Sequence, residues 1–181
     1  MRVEQTDIAD VFVLHPQVFG DHRGFFLESW NANTFKEVTG VESAFVQDNH
    51  SRSSKGVLRG LHYQIQQPQG KLVRVTQGRV FDVAVDLRRS SPTFGEWVGV
   101  ELNGEEHQQL SVPPGCAHGF VVLSEVADFQ YKTTDYYAPE YERCLRWDDP
   151  SISIRWPDSV VPKLSDKDQQ GEIFANCETY P

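Results

Sequence analysis

From Lys71 to Leu87 the chain reads "KLVRVTQGRVFDVAVDL", two apolar-rich runs on either side of Gln77 and Gly78. In the second run Phe81, Val83, Val85 and Leu87 alternate with Val80, Asp82, Ala84 and Asp86. A period of two is the signature of a strand, and two such runs about a glycine predict a hairpin. "EWVGVELNGEEHQQLSVPPG" repeats the pattern, with a turn at Asn103-Gly104 and a stop at Pro113-Pro114-Gly115. Further strands are predicted at "VFVLHP", "FFLESW", "AFVQDNH", "GVLRGLHYQ", "HGFVVL" and "ADFQYKTTDYY". "GDHRG" and "SRSSKG" have turn and loop composition. "NANTFKEVTG" is the best helical stretch, with asparagines for capping and Gly40 as a stop, and "SDKDQQ" suits one further helical turn. About ten short strands with regular turn signals predict an all-β sandwich or barrel. There is no βαβ rhythm, phosphate loop or long repeat, and no linker composition divides residues 1–181 into more than one domain.

Composition narrows the function. With 181 residues, 39% hydrophobic and 24% charged, the chain is long and apolar enough for a real core. A net charge of -9 argues against nucleic acid and anionic membranes as partners, though local cations can still hold a small anion. The N-terminal residues show no signal-peptide pattern, and no apolar run is long enough to span a membrane. The three cysteines, Cys116, Cys144 and Cys177, form no CxxC and are expected to be reduced, which makes the cytoplasm the expected location.

Candidate chemistry begins with "GVLRGLHYQ". A strand built only to fill a core needs neither Arg59 nor His62. Simple alternation places the two on opposite faces. They share a face only if Gly60 marks a bulge or sharp twist. Gly56 followed at six positions by His62, and Pro113, Gly115 and His118 in the spacing P-x-G-x-x-H, resemble the paired motifs of the cupin superfamily. That resemblance implies a jelly roll, or double-stranded β-helix, with a few short helices. Metal-binding cupins place a second histidine where this chain has Gln64, and a glutamate where it has Lys71. An ammonium repels a divalent ion and an amide is a poor ligand, so a metal-free pocket is expected. A histidine base and a lysine beside a developing oxyanion suffice to remove a proton next to a carbonyl. Arg23, Arg59 and Arg74 have the planar forks that suit phosphate oxygens. Each residue also has a plainer reading. A lone strand histidine is usually structural, a lysine opening a strand is usually solvated, and "SDKD" suits a solvated tail.

"FGDHRGFFLESW", "FVQDNHSRSSKGVLRGLHYQ", "QGKLVRV", "FDVAVDLRRSSPTFG", "VPPGCAHGFVVLSE", "YKTTDYYAPEYERCLRWDDP" and "LSDKDQQG" together resemble the dTDP-4-dehydrorhamnose 3,5-epimerase family, nearly end to end. The resemblance implies cofactor-independent inversion of carbons 3 and 5 of dTDP-4-dehydro-6-deoxy-D-glucose, giving the precursor of dTDP-L-rhamnose. The substrate's own ketone is the electron sink. Carried over by motif, His62 is the base, Asp168 its carboxylate partner, Tyr131 the acid on the opposite face and Lys71 the stabiliser of the enolate. Arg23, Glu28, Gln47, Asp48, Asn49, Arg59, His118, Glu142 and Lys167 match substrate-binding positions, and Tyr137 matches an aromatic that stacks on thymine. The family implies a homodimer in which Arg23 and Glu28 reach the partner's site. Cys116 stands where the family pattern suggests a larger apolar residue. A single-carbon epimerase or ketoisomerase on a related dTDP-4-keto sugar remains the closest alternative. A non-catalytic nucleotide-sugar binding cupin and a metal-dependent cupin oxygenase are the others.

Overall fold

The computed structural model describes residues 1–42 and 44–181. Two antiparallel sheets form its body. The six-stranded sheet runs β1 (Arg2–Gln5), β2 (Phe12–His15), β10 (Gln109–Val112), β7 (Lys71–Gln77), β12 (Val126–Thr133) and β5 (Gln47–Ser54). The five-stranded sheet runs β13 (Glu142–Cys144), β6 (Leu58–Gln64), β11 (Cys116–Val122), β8 (Arg79–Asp86) and β9 (Trp97–Asn103). A separate hairpin pairs β3 (Val18–Asp21) with β4 (Gly24–Leu27). This is the expected jelly roll.

The two hairpins expected from the sequence do not form. β7 and β8 follow one another yet belong to different sheets, and so do β9 and β10. Gly78 turns the chain from one sheet to the other at φ +77°, where a Cβ would fall 2.0 Å from the Val126 carbonyl oxygen. Strand character is local, but pairing partners are chosen by which apolar faces meet. "SRSSKG" is also corrected. Its first four residues continue β5, where Ser51 to Ser54 pair with β12. A polar edge strand carries no hydrophobic alternation to reveal it. The "FFLESW" strand stops at Leu27, and the strand after Ala127 stops at Thr133, before Tyr136-Tyr137.

Val73, Val75, Val80, Ala84, Leu110, Phe120 and Phe129 meet between the sheets, with Phe120 and Phe129 stacked at 4.1 Å. The opposite parity of the five-stranded sheet, including Val83, Val85 and Leu87, is buried under Leu145, Ile152 and Cys177 of the C-terminal segment. Both parities of β8 are therefore core, although its sequence reads as an alternation. Helix α1 (Ala32–Thr39) is capped by Asn31 and ends at Gly40 with φ +74°, as expected. Its Phe35 packs with Phe12, Leu14 and Leu72 on the outer face of the six-stranded sheet. Helix α2 (Asp166–Gln169) is the predicted single turn. Among the described residues no helix is long and apolar enough to cross a membrane.

Candidate active site

Gly60 decides where Arg59 and His62 point. Its φ is +123°, and the pairing of β6 with β11 breaks register at this level. A Cβ on Gly60 would lie 2.6 Å from the Gly119 Cα, so the two strands approach here as only glycine permits. The break puts both Arg59 and His62 on the wall of one cavity of about 310 Å³. Lys71, His118, Tyr131, Tyr137, Asn49 and Glu142 line it as well.

The polar side chains converge from both sheets. His62 and His118 stand on β6 and β11, while Lys71 and Tyr131 stand on β7 and β12. His62 Nε2 lies 2.7 Å from Asp168 Oδ1. The contact is bent, because Nε2 has no well-directed hydrogen-bond partner among the described residues. Asp168 is not the solvated tail residue its sequence context allows: it is 4% exposed. It accepts from the Ser165 hydroxyl at 2.6 Å and the Gly60 amide at 3.2 Å. Burial works against its ionisation, but His62, Ser165 and the Gly60 amide outweigh it and hold the carboxyl at about 2. Ser165 also caps α2 by accepting from the Asp168 amide, so one serine fixes both helix and carboxylate.

Lys71 opens β7 but is buried, and burial lowers its ammonium to about 8 against the opposing pull of Asp82 and Glu142. Its Nζ donates to the His62 carbonyl at 3.3 Å. Tyr131 is pushed up, chiefly by burial and then by Glu142, with Arg59 acting the other way. It is therefore a neutral hydroxyl at pH 7, able to give a proton. Gln64, at the cupin metal position, spends its amide on the Gln67 and Tyr136 carbonyls and the Ala138 amide. Lys71 and an amide so engaged do not fit a divalent cation at that position.

Two sheets thus bring a histidine, backed by the Asp168 carboxylate of α2, a buried lysine and a neutral tyrosine to one cavity. The dTDP-4-dehydrorhamnose 3,5-epimerase family model matches residues 5–176. The chain belongs to the dTDP-4-dehydrorhamnose 3,5-epimerase family. A dTDP-4-dehydrorhamnose 3,5-epimerase of Pseudomonas aeruginosa is 60% identical over 181 residues, covering 100% of both chains. The crystal structure of dTDP-6-deoxy-D-glucose-3,5-epimerase from Legionella pneumophila, in complex with dTDP-4-keto-L-rhamnose, superimposes with a TM-score of 0.95 at 52% identity, covering 98% of this chain and 94% of that one. A 3'-monoepimerase from Streptomyces bikiniensis in complex with dTDP-quinovose has a TM-score of 0.89 at 32% identity, covering 97% and 88%.

The remaining residues expected of a family member fall into three groups. Tyr137 and Glu142 line the cavity, and Gln47 and Lys167 contact them from outside it. Glu142 accepts from the Tyr137 hydroxyl at 2.7 Å and pairs with the Lys167 ammonium. Gln47 accepts from the Tyr137 amide at 3.2 Å and donates to Asn49 at 3.0 Å. Asp48 points elsewhere, into a neighbouring cavity of about 380 Å³ on the outer face of the six-stranded sheet, where it pairs with Lys132 at 2.8 Å. Arg74 is on that outer face too, bonded to Gln130, because strand parity separates it from Lys71 and Val73. Arg23 and Glu28 lie outside the cavity of their own chain. Arg23 is on the β3–β4 hairpin, its side chain 78% exposed and paired with Asp21, and Glu28 accepts from Asn31 at 3.0 Å. Cys116 is buried in the core between the sheets.

One functional candidate was missed in the sequence. Asp82 is fully buried and meets His118 Nε2 at 2.8 Å, while its Oδ2 has no partner among the described residues. Burial raises its pKa, with His118 and Lys71 opposing. Its signal was available: Asp82 shares parity with Val80 and Ala84, and a carboxylate on a core parity needs an explanation.

Proposed function

We propose that the chain inverts carbons 3 and 5 of dTDP-4-dehydro-6-deoxy-D-glucose, giving dTDP-4-dehydro-6-deoxy-L-mannose for dTDP-L-rhamnose synthesis. It is an isomerase of the epimerase class. The observation that carries the mechanism is the placement of His62 and Tyr131 on facing sheets around one cavity. Inverting a carbon requires removal of a proton from one face and delivery to the other, so base and acid must stand on opposite walls.

The nitrogen of His62 turned from Asp168 is Nδ1, and it has no protein partner among the described residues. Nδ1 takes the proton beside the ketone, and the ionised Asp168 stabilises the resulting imidazolium. Negative charge moves to the ketone oxygen. The Lys71 ammonium stabilises that enolate inside the cavity, where charges are poorly screened. Tyr131 returns a proton to the opposite face, and solvent restores both residues before the second carbon reacts. Arg59, His118, Asn49, Gln47, Glu142 and Lys167 hold the nucleotide sugar, with cations toward the diphosphate. Tyr137 stacks on thymine, worth roughly 1–3 kcal/mol by analogy with base stacking.

The chain acts as a homodimer. The β3–β4 hairpin exposes Phe19, Phe25 and Phe26, with Phe26 70% accessible, and apolar area of that kind favours cover by a partner. Arg23 and Glu28 at this hairpin then serve the partner's cavity.

Proton NMR in deuterium oxide tests the reading, using dTDP-4-dehydro-6-deoxy-D-glucose and metal-free protein. Deuterium enters carbons 3 and 5 as the L-sugar appears. Labelling at one carbon alone replaces the double epimerase with a monoepimerase, and absence of exchange despite dTDP binding removes the catalytic assignment.

A further inference from the structure

Cys144 has no part in the proton transfers above, yet β13 sets it directly opposite His62 in the pairing with β6. Directly opposed residues of an antiparallel pair put their side chains on the same face, about 5 Å apart at Cβ. Helix α2 adds Asp168 to the same place. One ligand atom from each of His62, Cys144 and Asp168 lies within 4.8 Å of the others. His62 Nε2, 2.7 Å from Asp168 Oδ1, is buried and lacks a well-directed partner among the described residues. The Cys144 thiol has only a 3.7 Å contact with the Leu145 carbonyl.

We propose that His62, Cys144 and Asp168 form an inhibitory site for a zinc-like divalent cation, set behind the substrate cavity. A thiolate, an imidazole and a carboxylate make a strong donor set for zinc, and water completes a tetrahedron. Tetrahedral zinc bonds of about 2.0–2.3 Å place ligand atoms roughly 3.3–3.8 Å apart, so the Cys144 sulfur closes by up to roughly 1 Å while His62 Nε2 and Asp168 Oδ1, 2.7 Å apart here, open by roughly half an ångström. This position differs from the cupin metal position, where Lys71 and Gln64 are unsuitable. Approach need not use the substrate cavity. Cys144 also lines a separate cavity of about 570 Å³, where Arg143 and Lys167 neutralise Glu178 and Glu142 and the carboxylates of Asp166 and Glu172 leave a net negative lining.

The chemistry of the block is explicit. The cation takes the Nε2 lone pair and the Cys144 sulfur, and the thiol proton goes to solvent. The imidazole's remaining proton must then sit on Nδ1, the nitrogen assigned as the base, so the base is occupied. Asp168 becomes a metal ligand and no longer stabilises an imidazolium. The inhibitory effect rests on the proposed role of His62; the binding site does not.

The test uses the full chain, stripped with chelator, in two measurements. Cobalt(II) titration reads thiolate ligation through its near-ultraviolet charge-transfer band, with zinc as competitor. Turnover of the nucleotide sugar is followed with and without added zinc. The expected result is a cobalt band in the native chain and in Cys177→Ser, lost in both Cys144→Ser and Cys144→Ala. Zinc should lower kcat more than about tenfold without changing KM, chelator should restore it, and the Cys144 variants should keep metal-free turnover and resist zinc. No cobalt band in the native chain, or a band that persists in both Cys144 variants, overturns the site. A Cys144-dependent band with turnover unchanged by zinc overturns the inhibitory role, and places the fault in the assignment of His62 rather than in the site.

Discussion

Asp168→Asn removes the negative charge beside His62 while preserving shape. The carboxyl, held at about 2 against an ordinary 3.8, represents about 2 kcal/mol of preference for its ionised form, shared among His62, Ser165 and the Gly60 amide. If His62 accounts for about half, losing the charge weakens the imidazolium by about 1 kcal/mol, or roughly fivefold in rate. The tautomer effect is larger. An asparagine that keeps its oxygen toward Ser165 puts its amide nitrogen at the Oδ1 position, where it gives up the Gly60 amide and presents an N–H to Nε2, which forces the ring proton onto Nδ1. Wrong-tautomer substitutions in histidine–carboxylate pairs cost up to about 10⁴. The expected fall in kcat is therefore about 10²–10⁴, with KM within about threefold, measured by deuterium incorporation at carbons 3 and 5. Stability carries a second signature. A depressed carboxylate pKa contributes stability present above pH 3.8 and lost as pH falls toward about 2. Denaturant titrations should show a smaller loss across this window in Asp168→Asn than in the native chain, the remainder coming from Asp86 and Asp128, which are also held at about 2. Turnover within about threefold of native in a folded Asp168→Asn chain would refute the base assignment.

Tyr131→Phe should remove the acid but leave the base, so deuterium still enters the sugar while formation of the inverted product falls by about 10²–10⁴; equal loss of exchange and inversion would contradict separate acid and base roles. Lys71→Met should lower kcat by at least about 10² while raising stability near pH 7, since a lysine depressed from 10.5 to about 8 carries a cost of about 3 kcal/mol below pH 8. The sign follows from linkage: that cost disappears as pH rises from about 8 to 10.5, so the native chain should gain stability relative to Lys71→Met across this window, and a flat difference would be inconsistent with a buried ammonium. Arg23→Ala and His62→Ala chains, each inactive alone, should recover about a quarter of native activity when unfolded and refolded together, because half the dimers are mixed and each mixed dimer has one intact site; no recovery would confine Arg23 to its own chain.

Much of this molecule was readable along the chain because the relevant physics is local. Strand periodicity at Val80 to Leu87, the asparagine cap and glycine stop of α1, and the single helical turn at "SDKDQQ" depend on neighbours a few residues away. The motif order from "FGDHRG" to "LSDKD" was enough to indicate the family, and with it most of the candidate residues. What the sequence could not supply was pairing. Local signals made hairpins of β7–β8 and β9–β10, whereas burial of both parities of the five-stranded sheet sends these neighbours to different sheets. Strand parity turned Arg74 and Asp48 away from the cavity, and the fold buried Asp168 and Lys71, which composition alone would leave in solvent. The opening conflict between Arg59 and His62 was resolvable only in three dimensions. The sequence determined that a glycine stood between them; the close approach of β11, with Gly119 against Gly60, made that glycine the break in register that turns both side chains into one cavity.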